Sequence, residues 1–370
     1  MIKQHLEPQA FRDFARAVVI WQKQHGRHQL PWQKSRDPYP IWVAEIMLQQ
    51  TQVKTVLNYY PRFLDRFPNV EALAHTPLDD LMPYWAGLGY YARARNLHRT
   101  ARIIVTQHGG QFPRTQAELK ELPGIGPSTA AAIAAFAFAE RISILDGNVK
   151  RVLARFAGID APIQSSATER QMWDLAQELL HHAPQDLDMA AYTQGLMDLG
   201  ALVCTRSAPA CAQCPLRQHC HAYCHDLQDQ LPVPRTTRPL PTREKHMLVW
   251  QQGNHILLER RKKQGIWGGL LSLPEFKARS HLEEFYRSQG CFAKAQALEP
   301  ASHRFTHFIL HIRPWLIHHR EATLPPMDNK NHLWIPAEAL AHSALPAPIR
   351  RLLLNPVVSA IAELADPDGD

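Results

Sequence analysis

The sequence lacks several features that would have pointed elsewhere. No run of 18 apolar residues occurs in the 370 residues, so no transmembrane helix is expected. The start, MIKQHLEPQA, has no apolar core of signal-peptide length. A soluble cytoplasmic protein with no membrane partner is the expectation. Cysteine is scarce: six residues, five of them between 204 and 224. A disulfide-stapled secreted chain would spread its cysteines; this crowding points to a metal or cluster site. Asp and Glu are absent from residues 81–117, which carry Arg93, Arg95, Arg99, Arg102 and Arg114. Such a run suits phosphate contact and equally suits a solvated helix face. Strand-like alternation is nearly missing before residue 225.

What is present is ordinary globular material, 45% hydrophobic and 20% charged, with a net charge of +7 and a pI near 9.1. That balance permits a nucleic-acid partner without requiring one. Helical spacing predicts segments at 11–22, 41–66, 78–86, 91–108, 116–122, 128–139, 147–156, 168–182 and 189–203. Residues 1–225 therefore read as an all-helical domain. A proline-rich linker follows over 226–242. MLVWQ and HILLER then flank a Gln-Gly-Asn turn and read as a hairpin, and RFTHFILHIRPWL as one long strand. Residues 243–360 form the expected α/β domain, and 361–370 a disordered tail.

Four stretches carry chemistry. In IWVAEIMLQQTQV, residues 41–53, Glu45 is the lone carboxylate on an apolar helix front. Its helical neighbours include Ile41, Trp42 and Leu48. An apolar setting raises a carboxyl pKa and keeps an acid protonated near neutral pH. The bland alternative is a surface glutamate at a domain edge. In LPGIGPSTAAAIAAFAF, residues 122–138, Gly124 and Gly126 free the backbone for a tight turn, and Pro127 opens a helix. Amides at such a terminus attract anions, although a plain helix–helix turn fits the same letters. In ILDGNVKRVLARF, residues 144–156, Asp146 is a favoured helix cap. A carboxylate at a helix N-terminus stays ionised and could face a positive sugar. Lys150, Arg151 and Arg155 add phosphate-binding potential. In CTRSAPACAQCPLRQHC, Cys204, Cys211, Cys214 and Cys220 have the spacing C-x6-C-x2-C-x5-C. Four thiolates suit a [4Fe–4S] cluster or structural zinc. Cys224 and Cys291 read as free thiols.

The ordered set WVAEIMLQQTQV, GLGYYARARNLH, LPGIGPSTA, LDGNVKR and the four-cysteine loop resembles the helix-hairpin-helix DNA glycosylases of the endonuclease III superfamily. It is most similar to the MutY adenine glycosylases within it. The resemblance implies a multi-domain protein: an all-α glycosylase domain with a [4Fe–4S] loop, plus a C-terminal α/β Nudix-like domain. It implies a monomer acting on double-stranded DNA that carries adenine opposite 8-oxoguanine or guanine. Glu45 would be the general acid and Asp146 the stabiliser of the oxocarbenium ion. Position 128 separates the branches: the strand-cleaving branch has a catalytic lysine there, and this chain has Ser128. Tyr90 would wedge into the duplex. Gln50, Thr51 and Leu88 would contact the base opposite adenine, and Trp32 and Gln194 would line the adenine pocket. GIWGGLLSLPEF, residues 265–276, resembles the Nudix fold, but the REUxEE core is missing from ARSHLEEFYRSQG. The second domain would then recognise a lesion, through Phe305, Thr306 and His307. The rival readings are a pyrimidine glycosylase/lyase and a non-catalytic iron–sulfur DNA-binding protein.

Overall fold

The computed structural model describes residues 7–234, 239–262, 264–319 and 331–354. Part of the expected linker and all of the expected tail lie outside them. The chain forms two compact units: Met1–His75 with Asn96–Thr237, and Thr76–Arg95 with Arg238–Asp370. No helix among the described residues is long and apolar enough to cross a membrane.

The chain opens with α1 (Pro8–His25), α2 (Pro38–Leu48), α3 (Val53–Arg66), α4 (Val70–His75), α5 (Leu78–Trp85) and α6 (Ala92–His108). It continues with α7 (Gln116–Leu119), α8 (Pro127–Phe138), α9 (Gly147–Phe156), α10 (Ser166–His181), α11 (Met189–Asp198) and α12 (His221–Cys224). The α5 helix and the first turn of α6 fall in the second unit. In the first unit, α2 is apolar all round except at Glu45, and Ile41, Trp42, Val43, Ala44, Ile46 and Met47 are all buried. A helix of that kind belongs in a core. Asp37 caps it by accepting from the Tyr39 amide at 2.9 Å. The α8 helix is equally apolar, buried through Ala130–Ala135, and packs on α2. The α1, α9, α10 and α11 helices enclose a second core in which the Phe14 and Phe156 rings meet edge to face at 4.8 Å.

The single helix expected over 41–66 is two helices. The polar run Gln49-Gln50-Thr51-Gln52 has no apolar periodicity to bury, and Gln50 takes a left-handed φ of 56°. Gln49 fixes this turn, its side-chain amide donating to the Gly124 carbonyl and to Thr129 Oγ1, both at 3.2 Å.

The second unit is built on a mixed sheet. Its strands are β1 (Thr242–Gln252), β2 (His255–Arg260), β3 (Leu271–Ser272), β4 (Glu275–Phe276), β5 (Gln296–Ala297), β6 (Ala301–Arg304), β7 (Ile309–His319) and β8 (His332–Pro336). The β1 strand begins at Thr242, inside the stretch expected as linker. It runs parallel to β7 from Thr242↔Ile309 and pairs antiparallel with β2 across the Gly253-Asn254 turn. Helix α13 (Arg279–Ser288) buries Leu282 and Tyr286 against Leu248, Trp250 and Ile317, and α14 (Ala347–Leu353) ends the described chain. The long strand expected over 304–316 is instead β6, a turn and β7; the Phe305 amide donates to the Phe308 carbonyl at 2.9 Å to close the turn.

Candidate active site

A cavity of about 390 Å³ opens in the first unit, with Glu45, Trp32, Gln194, Phe136, Gln22 and Ile41 in its wall. That size and mixed lining suit a small planar ligand. Glu45 enters from α2, and its side chain makes no hydrogen bond to any described residue. It touches the cavity but is otherwise enclosed by protein. Burial, followed by the nearby charge of Asp146, pushes its pKa from 4.5 up to about 8. The carboxyl is therefore protonated at neutral pH.

Asp146 caps α9. Its Oδ1 accepts from the Val149 amide at 2.8 Å and its Oδ2 from the Asn148 side chain at 3.3 Å. The sequence alone gives this carboxylate a helix terminus that holds it charged. In the structure burial dominates and raises its pKa, while the cap hydrogen bonds and Arg151 pull the other way. Of the two carboxyls, only Asp146 has donors aimed at its charge, which leaves Glu45 the more readily protonated.

Ser128 stands one residue into α8, and its hydroxyl accepts from the Leu145 amide at 3.1 Å. It thus braces the segment that delivers Asp146. Lys150 is held by Glu169, Nζ to Oε1 at 2.8 Å. Arg151 and Arg155, expected to reach phosphate, turn inward instead. Arg151 donates to the carbonyls of Cys204 at 2.7 Å and Gly200 at 2.5 Å. Arg155 is 3% exposed and donates to the carbonyls of Thr205, Arg206 and Leu231. The carbonyls of the cysteine loop need these donors, and buried carbonyls left unpaired are costly.

Gly124 and Gly126 are exposed at the α7–α8 turn. Gly124 has φ +80°, and a Cβ there would meet the Asn96 Cβ at 2.7 Å, so this position admits no side chain without strain. Gln50 is exposed and Thr51 half-buried on the turn that Gln49 ties to Gly124.

Cys204, Cys211, Cys214 and Cys220 are free, half-buried thiols that line one apolar pocket with Val152, Phe156 and Leu216. Burial pushes Cys214 up to about 12 and Cys220 up to about 11, with the other thiols adding to it. Four thiolates there require a strongly positive group. Among the described residues, no three His, Cys, Asp or Glu side chains are gathered closely enough for a single metal ion. Four half-buried thiols in one apolar pocket are a donor set that a [4Fe–4S] cluster or a structural zinc would take.

In the second unit, Tyr90 is 44% exposed with φ +47°, and Leu88 beside it is buried. Arg93 donates to the carbonyls of Leu88 and Gly89 at 3.0 and 3.1 Å, which holds this turn. Thr306 and His307 are exposed at the β6–β7 turn, and Phe305 is half-buried against the Trp267 and His303 rings. On α13, Glu283 pairs with Arg279 at 2.7 Å. Sequence reasoning missed Asp198 and Arg27, whose contact joins positions 171 residues apart; no local pattern marks either.

Residues 43–178 match the family model described as HhH-GPD superfamily base excision DNA repair protein, and residues 246–355 match a NUDIX domain. The chain is 36% identical to the adenine DNA glycosylase of Buchnera aphidicola subsp. Baizongia pistaciae, over 92% of this chain and 95% of that one. It is 42% identical to the human adenine DNA glycosylase, over 60% of this chain and 42% of that one. Among solved structures, a thermostable thymine-DNA glycosylase superposes with a TM-score of 0.53 at 28% identity, covering 59% of this chain and 98% of that one. With more than a third of its residues shared along nearly the whole length of a relative, the chain belongs to the adenine DNA glycosylase family.

Proposed function

We propose that the chain is a monofunctional glycosylase that removes adenine paired with 8-oxoguanine or guanine from double-stranded DNA in the cytoplasm. The observation that carries this reading is Glu45, a carboxyl held protonated up to a pH of about 8 on the wall of a base-sized cavity, beside Asp146. Adenine flips out of the stack, at roughly a few kcal/mol, and enters the cavity against Trp32 and Gln194. Glu45 donates its proton to N7. The C1′–N9 bonding pair leaves with the base, which departs neutral. The sugar becomes an oxocarbenium ion, which Asp146 stabilises. Water adds to C1′ and returns a proton to Glu45. Two carboxyls with separate roles are the logic of glycoside hydrolysis.

The cation at C1′ meets water rather than an amine. The residue that follows Pro127 is a serine whose hydroxyl already binds the Leu145 amide, and Lys150 is paired with Glu169. This favours the monofunctional reading over a glycosylase/lyase. The exposed Gly124–Gly126 turn would grip a phosphate, with Ser128 and Lys150 nearby. Gln50 and Thr51 would sit at the opposite base, Tyr90 would wedge into the duplex, and Phe305, Thr306 and His307 would read 8-oxoguanine; Leu88, expected at the opposite base, is instead buried and packs its own unit. Cys204, Cys211, Cys214 and Cys220 would hold a [4Fe–4S] cluster, whose irons would neutralise the thiolates and fold the 204–220 loop.

The test is base release from duplexes with adenine opposite 8-oxoguanine and from duplexes with thymine glycol, run with and without hot alkali. Cleavage of the adenine strand only after alkali is the expected result. Cutting of the thymine-glycol strand without alkali would overturn the reading. Glu45→Gln should bind duplex and lose the adenine release that the wild-type protein shows; loss of activity with binding intact would also exclude a purely DNA-binding protein.

A further inference from the structure

Asp198 takes no part in the proton transfer above, yet its side chain has no solvent exposure (0%). Three hydrogen bonds reach it: the Arg27 amide donates to Oδ2 at 2.7 Å, and Oδ1 accepts from Arg27 Nε at 2.6 Å and from Gln194 Nε2 at 2.8 Å, with Arg27 Nη2 in ion-pair contact at 2.5 Å. Gly26 packs its backbone directly on this group: a Cβ there would lie 2.6 Å from the Gln22 carbonyl and 3.1 Å from Asp198 Oδ2. Arg27 in turn accepts, at its carbonyl, the Gln33 side-chain amide at 2.8 Å, and Gln33 Oε1 accepts the Leu30 amide at 3.0 Å. This loop carries Trp32 to the cavity wall.

The chemistry of the contact fixes an orientation. An ionised carboxylate only accepts hydrogen bonds. Gln194 must therefore turn its amino group toward Asp198. Its Oε1 accepts no hydrogen bond from any described residue, and Gln194 lines the cavity. An acceptor presented there suits the 6-amino group of adenine and repels a base with a carbonyl at that position. We propose that Asp198 is a positioning residue that sets the hydrogen-bond polarity of the base cavity, holding Gln194 acceptor-first and, through Arg27, fixing the loop that bears Trp32. This rests on the adenine reading of the cavity.

Asp198→Asn tests it. Asparagine offers a donor, so Gln194 can reverse and show its amino group to the base. Single-turnover base release is compared for adenine and for unsubstituted purine, which lacks the amino group, each opposite 8-oxoguanine and with saturating holoenzyme. The expected result is a fall of at least tenfold in the adenine-to-purine rate ratio, with duplex affinity within about threefold of wild type. Gln194→Glu added to Asp198→Asn should restore the ratio, because a carboxylate accepts in either orientation. An equal loss on both bases would overturn the proposal and leave Asp198 a structural residue. If Asp198→Asn does not fold, Gln194→Met must show the same fall in ratio, and an unchanged ratio there would refute the idea equally. Absence of adenine release by the wild-type protein would instead sink the functional reading beneath it.

Discussion

Keeping Glu45 protonated costs the fold stability at high pH, and the cost can be measured. Its pKa rises from 4.5 in a solvated chain to about 8 in the folded one. Below the lower value both states hold the proton. Between the two, the folded protein binds a proton that the unfolded chain has lost, so stability falls as pH rises, levelling off above about 8. At about 1.4 kcal/mol per pKa unit, the full effect is on the order of 2 to 5 kcal/mol, the lower figure allowing for water in the cavity. Glu45→Gln has nearly the same shape and no titration. It should lie within about 1 kcal/mol of wild type in urea unfolding at pH 5 and exceed it by the full effect at pH 9. Over the same range, wild-type single-turnover base release should fall above pH 8, by about tenfold per unit. A stability difference that stays within about 0.5 kcal/mol across this range would refute the reasoning, because Glu45 would then titrate as an ordinary carboxyl.

Asp146→Asn retains an oxygen for the Val149 amide but loses the charge; base release should drop by ~100-fold or more, with a melting temperature close to wild type. Gly124→Ala forces a side chain onto Asn96 at positive φ; it should cost about 1–3 kcal/mol in urea unfolding and weaken duplex binding in a salt-titrated assay. Ser128→Ala removes the acceptor for the Leu145 amide and should destabilise by about 1 kcal/mol, read by the same unfolding assay. Cys214→Ala should lower iron and acid-labile sulfide together in the purified protein; full retention of both would argue against these four cysteines as ligands.

Much of the helical unit is legible in the sequence because its apolar residues recur at the helical period, as at Phe11, Phe14, Ala15 and Val18. Glu45 stands out for the same reason, as a charge on a face that is otherwise apolar. The break at Gln49–Gln52 was not legible, because glutamine is a good helix former and only the tie to Gly124 fixes the turn. The β6–β7 turn was hidden by Phe305, Phe308 and Ile309, which favour strands, with no glycine or proline to mark the reversal. Arg151 and Arg155 looked like phosphate ligands by composition. Their inward course depends on carbonyls that the cysteine loop presents some fifty positions later. Asp198 gave no signal at all, since an acid is informative only once its burial and its distant partner are known.

The fastening made by Gln49 has a mechanical consequence. One amide joins the end of α2 to the Gly124 carbonyl and to Thr129 on α8, so the hairpin turn and the helix that bears Glu45 are tied directly to each other. On the proposed reading, a DNA strand gripped at that turn would bear on α2 through this amide. The grip would then act as a gauge: a backbone seated correctly at Gly124 would leave the Glu45 carboxyl at a set offset from it, and one seated a residue out of step would carry the wrong nucleotide past it.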